Sequence, residues 1–104
     1  MKTFTFGDTH GCLKTLQGLF NIIPYNEGDK RIFLGDYLDR GPDSALLIQF
    51  LMDLPGDNEF LLGNHEELFL RMLEFTNNSK HVFLSLVNGG DRTIMSYIQN
   101  EHIF

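Results

Sequence analysis

The stretch Ile32-Phe33-Leu34-Gly35-Asp36-Tyr37-Leu38-Asp39-Arg40-Gly41 decides how this chain is read. A short apolar run ends at a glycine, and acidic and basic side chains follow at once. Such a run reads as a strand covered on both faces, as in a parallel sheet. The same grammar recurs on either side of it. Thr3-Phe4-Thr5-Phe6 alternates polar and apolar β-formers and leads into Gly7-Asp8-Thr9-His10-Gly11, while Phe60-Leu61-Leu62 leads into Gly63-Asn64-His65-Glu66. Glycine suits these strand-to-loop turns because it tolerates positive φ and lets backbone approach closely.

Between the apolar runs the period changes to that of a helix. Leu13, Leu16, Phe20 and Ile23 recur at helical spacing until Pro24 and the Asn26-Glu27-Gly28-Asp29 cluster. Residues 42–54 carry Leu46, Leu47, Phe50, Leu51 and Leu54, with Pro42 in the first turn and Pro55-Gly56 as the stop. A third helix places Leu68, Phe69, Met72 and Leu73 on one face. After Thr76-Asn77-Asn78-Ser79 a less regular segment reaches the Gly89-Gly90 turn, and a last helix carries Ile94, Tyr97 and Ile98. The order β-α-β-α-β-α predicts an α/β fold with a mainly parallel sheet and helices on its faces.

Composition bounds the function classes. The 104 residues hold a folded domain's share of apolar side chains, 42%, with 10 phenylalanines. A formal net charge of −6 leaves no basic stripe for a nucleic-acid backbone, so no nucleic-acid partner is expected. The single cysteine, Cys12, excludes an internal disulfide framework. The N-terminal residues show no secretory signal and no run spans a bilayer, so the expected location is the cytoplasm, with no membrane partner.

In an open α/β sheet the carboxyl ends of neighbouring strands share one edge, where ligands bind. Asp8, His10, Asp36 and Asn64 are therefore expected to converge. Carboxylate, imidazole and amide donors suit divalent zinc, iron or manganese without a thiolate. Asp36 can bridge two ions through its two oxygens, and a metal pair would clamp a phosphate and activate water. Arg40 adds a planar fork for phosphate oxygens. His65 is placed to protonate a leaving group, with Asp39 to orient it.

The motifs GDTHG, GDYLDRG and GNHE, in this order, resemble those of the calcineurin-like metallophosphoesterases, and specifically the phosphoprotein-phosphatase branch. The resemblance extends over about residues 2–100, with Asn88-Gly89-Gly90, Thr93, Ser96 and Tyr97 as a weaker match to the bacterial serine/threonine phosphatases. It implies that Asp8 and His10 hold one metal, Asp36 bridges, and Asn64 holds the second. It also implies that Arg40, His65 and Asn64 meet the substrate phosphate, with His65 and Asp39 aiding departure of the leaving group. The implied cofactors are two divalent ions, manganese first, with iron, zinc, nickel and cobalt as alternatives. The implied activity is phosphoester hydrolysis on a serine/threonine phosphoprotein, or on a small phosphoester. The alternatives are a dinucleoside polyphosphate such as diadenosine tetraphosphate, or a fragment that only binds metal.

Leu62 stands where an arginine commonly precedes the GNHE glycine in that branch. The further histidines and arginine of the family's second half have no match here. Residues 1–104 are accordingly expected to be the N-terminal half of the family's layered sandwich, prone to self-association through uncovered apolar surface. His81 and His102 are the remaining histidines, but neither follows a strand–glycine junction. Glu66 and Glu67 read as acidic residues complementing a helix dipole, and Cys12 as a small packing residue.

Overall fold

In the computed structural model each apolar run feeds one parallel sheet. The structure describes residues 1–74 and 79–100, with Ser79 and His81 described by their backbone alone. Strands β1 (Thr3–Phe6), β2 (Lys30–Phe33) and β3 (Asp57–Phe60) alternate with helices α1 (Leu13–Ile22) and α2 (Ser44–Met52). Then come α3 (Asn64–Glu74), α4 (Ser79–Ser85), a kinked turn over Leu86–Gly90 and α5 (Asp91–Gln99). The sheet order is β1-β2-β3, and both pairings are parallel. The expected α/β architecture is what forms.

Register explains the core. Phe6 pairs with Phe33, and Phe33 with Phe60, so three aromatic rings stand in a row across the sheet. Their centroids are 4.9 and 5.0 Å apart and the rings are nearly parallel. Leu16 of α1 and Leu47 and Leu51 of α2 close over Phe6 and Phe33, with Tyr37 completing the buried cluster. Helix α1 ends where it must. Ile23 is extended (φ −76°, ψ 131°), the conformation imposed on a residue preceding proline.

The structure corrects several boundaries. Strand β2 is covered on one face, not two: the other face carries Thr3, Thr5, Asp57 and Glu59, all exposed, beside half-buried Lys30 and Ile32. Lys30 and Glu59 pair across it at 3.5 Å. Strand β3 lies earlier than its apolar run, because Leu61 makes the last ladder bond, to the Phe33 carbonyl at 2.8 Å, before the chain leaves the sheet. Helix α2 begins at Ser44, two residues after Pro42, since the Asp43 N–H is taken by the Gly11 carbonyl at 2.9 Å. In α5 the buried residues are Thr93 and Ser96. Ile94, Tyr97 and Ile98, the apolar residues that marked this helix in the sequence, line an open apolar groove with residues of α2 and α3. Among the described residues no helix is long and apolar enough to cross a membrane.

Candidate metal and phosphate site

The loops after the three strands meet at one edge of the sheet. The N–H groups of Thr9 and His10 donate to the Asp36 carbonyl (3.2 and 2.9 Å), and Gly11 N–H to the Tyr37 carbonyl (2.7 Å). This zips the loop after β1 to the loop after β2. Asp36 Oδ1 in turn accepts the His65 N–H at the start of α3, at 2.9 Å. Such packing demands unusual backbone. His10, Asp36, Asp39 and Arg40 all sit at positive φ (42°, 56°, 75° and 69°), a conformation that costs free energy for non-glycine residues and recurs at functional sites. Gly41 is required beside them, since any Cβ there would strike the His10 carbonyl oxygen.

The sequence-derived residues come together. Asp8, His10, Asp36, Arg40, Asn64 and His65 line one cavity of about 550 Å³, with Glu67, Leu68, Arg71 and Asn88 completing its wall. Asp39 is fully buried and meets the cavity-lining His65 through a hydrogen bond. His102 lies outside the described residues, and of His81 only the backbone in α4 is described.

One donor atom each from Asp8, His10 and Asp36 fall within 4.8 Å of one another. Ligand atoms about 2.1 Å from a common ion lie roughly 3–4 Å apart, so a small side-chain adjustment lets these donors share one. Asp8 is free to make it, being 61% exposed. His10 is already set for the purpose. Its Nδ1 lies 2.8 Å from the Leu38 carbonyl, which only accepts, so Nδ1 carries the proton and Nε2 presents its lone pair near Asp8 Oδ2, 3.7 Å away. The donor set fits a divalent cation.

His65 is held the same way. Its Nδ1 donates to Asp39 Oδ2 at 2.9 Å, leaving Nε2 as the ring nitrogen for the cavity. The other Asp39 oxygen accepts from the Thr93 hydroxyl at 2.6 Å, and that same hydroxyl accepts the Asp39 N–H at 2.8 Å. A buried carboxylate is stable only when paired and hydrogen-bonded, and Asp39 is both.

Glu66 is the residue that sequence reasoning missed. It is 5% exposed, and its carboxylate accepts from the N–H groups of Asp36, Tyr37 (2.8 Å), Leu38 (3.1 Å) and Gly63 (3.0 Å). It ties the α3 N-terminus to the loop carrying the metal-capable side chains, rather than merely complementing a dipole. Glu67 keeps its exposed position in the first turn, but on the cavity wall. Next to the clamp, the Tyr37 hydroxyl donates to the Leu61 carbonyl at 2.7 Å. Burial, then the charge of Glu66, push that hydroxyl's pKa up to about 12.

A family model described as calcineurin-like phosphoesterase matches residues 1–102. A protein of Legionella pneumophila (strain Lens) named symmetrical bis(5'-nucleosyl)-tetraphosphatase is 39% identical over 70% of this chain and 27% of its own length. A relative of the same name from Cellvibrio japonicus is 37% identical over 64% of this chain and 25% of its own length. Another, from Marinomonas sp. (strain MWYL1), is 31% identical over 100% of this chain and 39% of its own. The chain thus spans between a quarter and two fifths of these relatives. No solved structure matches.

Proposed function

The chain belongs to the calcineurin-like phosphoesterase family, and from that premise we propose that residues 1–104 form the metal- and phosphate-holding part of a hydrolase acting on a dinucleoside polyphosphate. The observation that carries this reading is the convergence of Asp8, His10 and Asp36 within 4.8 Å, in a cavity that also holds Arg40, Asn64 and His65. What supports the substrate is the name shared by the relatives. The phosphoprotein substrate suggested by the motifs finds no such support and gives way to it.

In this reading Asp8 and His10 hold one divalent ion, Asp36 bridges, and Asn64 holds a second. Manganese is the ion of first choice, with iron, zinc, nickel or cobalt as alternatives. Such ions supply Lewis acidity and a water nucleophile at neutral pH. Arg40 offers its fork to non-bridging phosphate oxygens. Water adds to one phosphorus and gives up a proton to solvent as the bond to the bridging oxygen breaks, so symmetrical cleavage of a dinucleoside tetraphosphate yields two nucleoside diphosphates. His65, steadied by Asp39, is placed to pass a proton from Nε2 to the departing oxygen.

The test pairs metal content with product analysis. The chain is expected to bind manganese, and Asp36→Asn to lower its content at both positions, because a neutral amide bridges poorly. With manganese present, diadenosine tetraphosphate should yield adenosine diphosphate. Release of phosphate from a phosphopeptide without cleavage of the dinucleotide would overturn the substrate. Unchanged metal content in Asp36→Asn would overturn the bridge. Metal binding with no hydrolysis of either substrate would leave a metal-binding role alone.

A further inference from the structure

Arginine occurs twice on the cavity wall, and Arg71 has no part in the reading above. Its Nη2 and Nε lie 3.0 and 3.3 Å from Glu67 Oε1, one helical turn earlier on α3, and both side chains line the cavity with Arg40 and Asp36. Both are also about half exposed, so the pair adds little to the stability of the helix. An incoming anion can displace the Glu67 carboxylate at small cost. Arg71 therefore differs from a structural arginine: its present partner is replaceable, and its guanidinium adjoins the site.

Position along α3 then separates its role from that of Arg40. Asn64 opens the helix at the strand ends, and seven residues of helical rise put Arg71 about 10 Å further along the axis. Arg40 sits in the strand-end loop itself, where its backbone N–H donates to the Gly89 carbonyl at 3.3 Å. The two guanidiniums thus stand on different elements of one cavity wall, the strand-end loop and α3, and a chain of phosphates offers each arginine a phosphate of its own.

We propose that Arg71 contacts a second phosphate of a condensed-phosphate ligand, with Glu67 as its internal competitor, so that the pair selects polyphosphates over single phosphates. This rests on the reading of the cavity as a phosphate site and deepens it. A fork-shaped guanidinium can engage a phosphate through two hydrogen bonds, and the carboxylate of Glu67 must yield when it does. Weak single anions do not repay that exchange, because they are already met at the strand ends.

The test compares inorganic tripolyphosphate with orthophosphate, both titrated into the full chain in magnesium-saturated buffer. The wild-type chain should prefer tripolyphosphate. Arg71→Gln should weaken tripolyphosphate about tenfold and change orthophosphate by less than about twofold, with Arg71→Lys in between. Glu67→Gln should tighten tripolyphosphate several-fold, and circular dichroism should show each variant folded. A wild-type chain without the preference overturns the proposal, as does an Arg71→Gln variant that keeps it or loses both anions equally. The hydrolysis assay separates this from the functional reading. Preference intact with the dinucleotide uncleaved sinks only the reading, and cleavage intact with no preference sinks only the proposal.

Discussion

Asp39 shows how far single residues could be read from the sequence. Its place beside His65 followed from the strand-end motif, and the structure has the contact at 2.9 Å. Its burial and its second partner did not follow. Thr93 stands 54 residues later, and a hydroxyl that answers a distant carboxylate leaves no periodic trace. The left-handed backbone at His10, Asp36, Asp39 and Arg40 was equally hidden, since only glycine advertises positive φ. Thr93→Val keeps the shape of the side chain but removes the hydroxyl, leaving Asp39 Oδ1 without its donor in a fully buried place. The expected loss is about 1–3 kcal/mol of unfolding free energy, most of it restored in Thr93→Ser. Denaturant titration checks this. Equal midpoints for wild type and Thr93→Val would show that Thr93 does not sustain the Asp39 carboxylate.

At the scale of elements, strands and helices were legible because apolar runs and 3.6-residue periods announce them. Their ends were less so. Strand β3 could not be placed from Phe60-Leu61-Leu62, because its paired residues Asp57, Asn58 and Glu59 are polar and belong to an edge strand. Glu66 could be read only as a first-turn acid, because the amides it serves in the Asp36–Leu38 loop lie 28 to 30 residues away. That clamp has a titratable neighbour. Tyr37 ordinarily loses its proton near pH 10, but in the folded chain burial and Glu66 hold it until about 12. Folding therefore favours the protonated hydroxyl. Its contribution is fully present below about pH 10 and is lost as pH rises through about 12, where both states are ionised. Tyr37→Phe should be less stable than wild type at neutral pH, and the gap should narrow across that alkaline window. Unfolding midpoints measured side by side remove the effects of other groups, and a gap constant between about pH 9 and 12 would rule out Tyr37 as the alkaline sensor.

The structure extends over 47 × 26 × 19 Å, and among the described residues apolar surface is left open where a rounder body would cover it. A groove of about 520 Å³ is lined by Leu38, Ile48, Phe69, Leu70, Leu73, Ile94, Tyr97 and Ile98, and Leu70, Leu73 and Ile98 are more than half exposed. Burying one such side chain contributes roughly 1.5–3 kcal/mol, so two copies meeting along this groove would gain several such terms. The formal net charge of −6 opposes the encounter, but salt screens that repulsion while leaving apolar burial intact. We therefore expect the 104-residue chain to associate reversibly, more strongly as sodium chloride is raised, and more strongly still in sulfate. Leu73→Glu or Ile98→Glu should weaken association on the order of tenfold or more, by removing apolar area and adding like charge. Met52→Glu, a change at an exposed apolar residue outside the groove, is the control for charge alone and should have a smaller effect. Sedimentation velocity over a concentration series gives the answer. A wild-type chain that stays monomeric at high protein and salt would show that the groove does not bind a second copy. Equal weakening by Met52→Glu would assign the association to net charge instead.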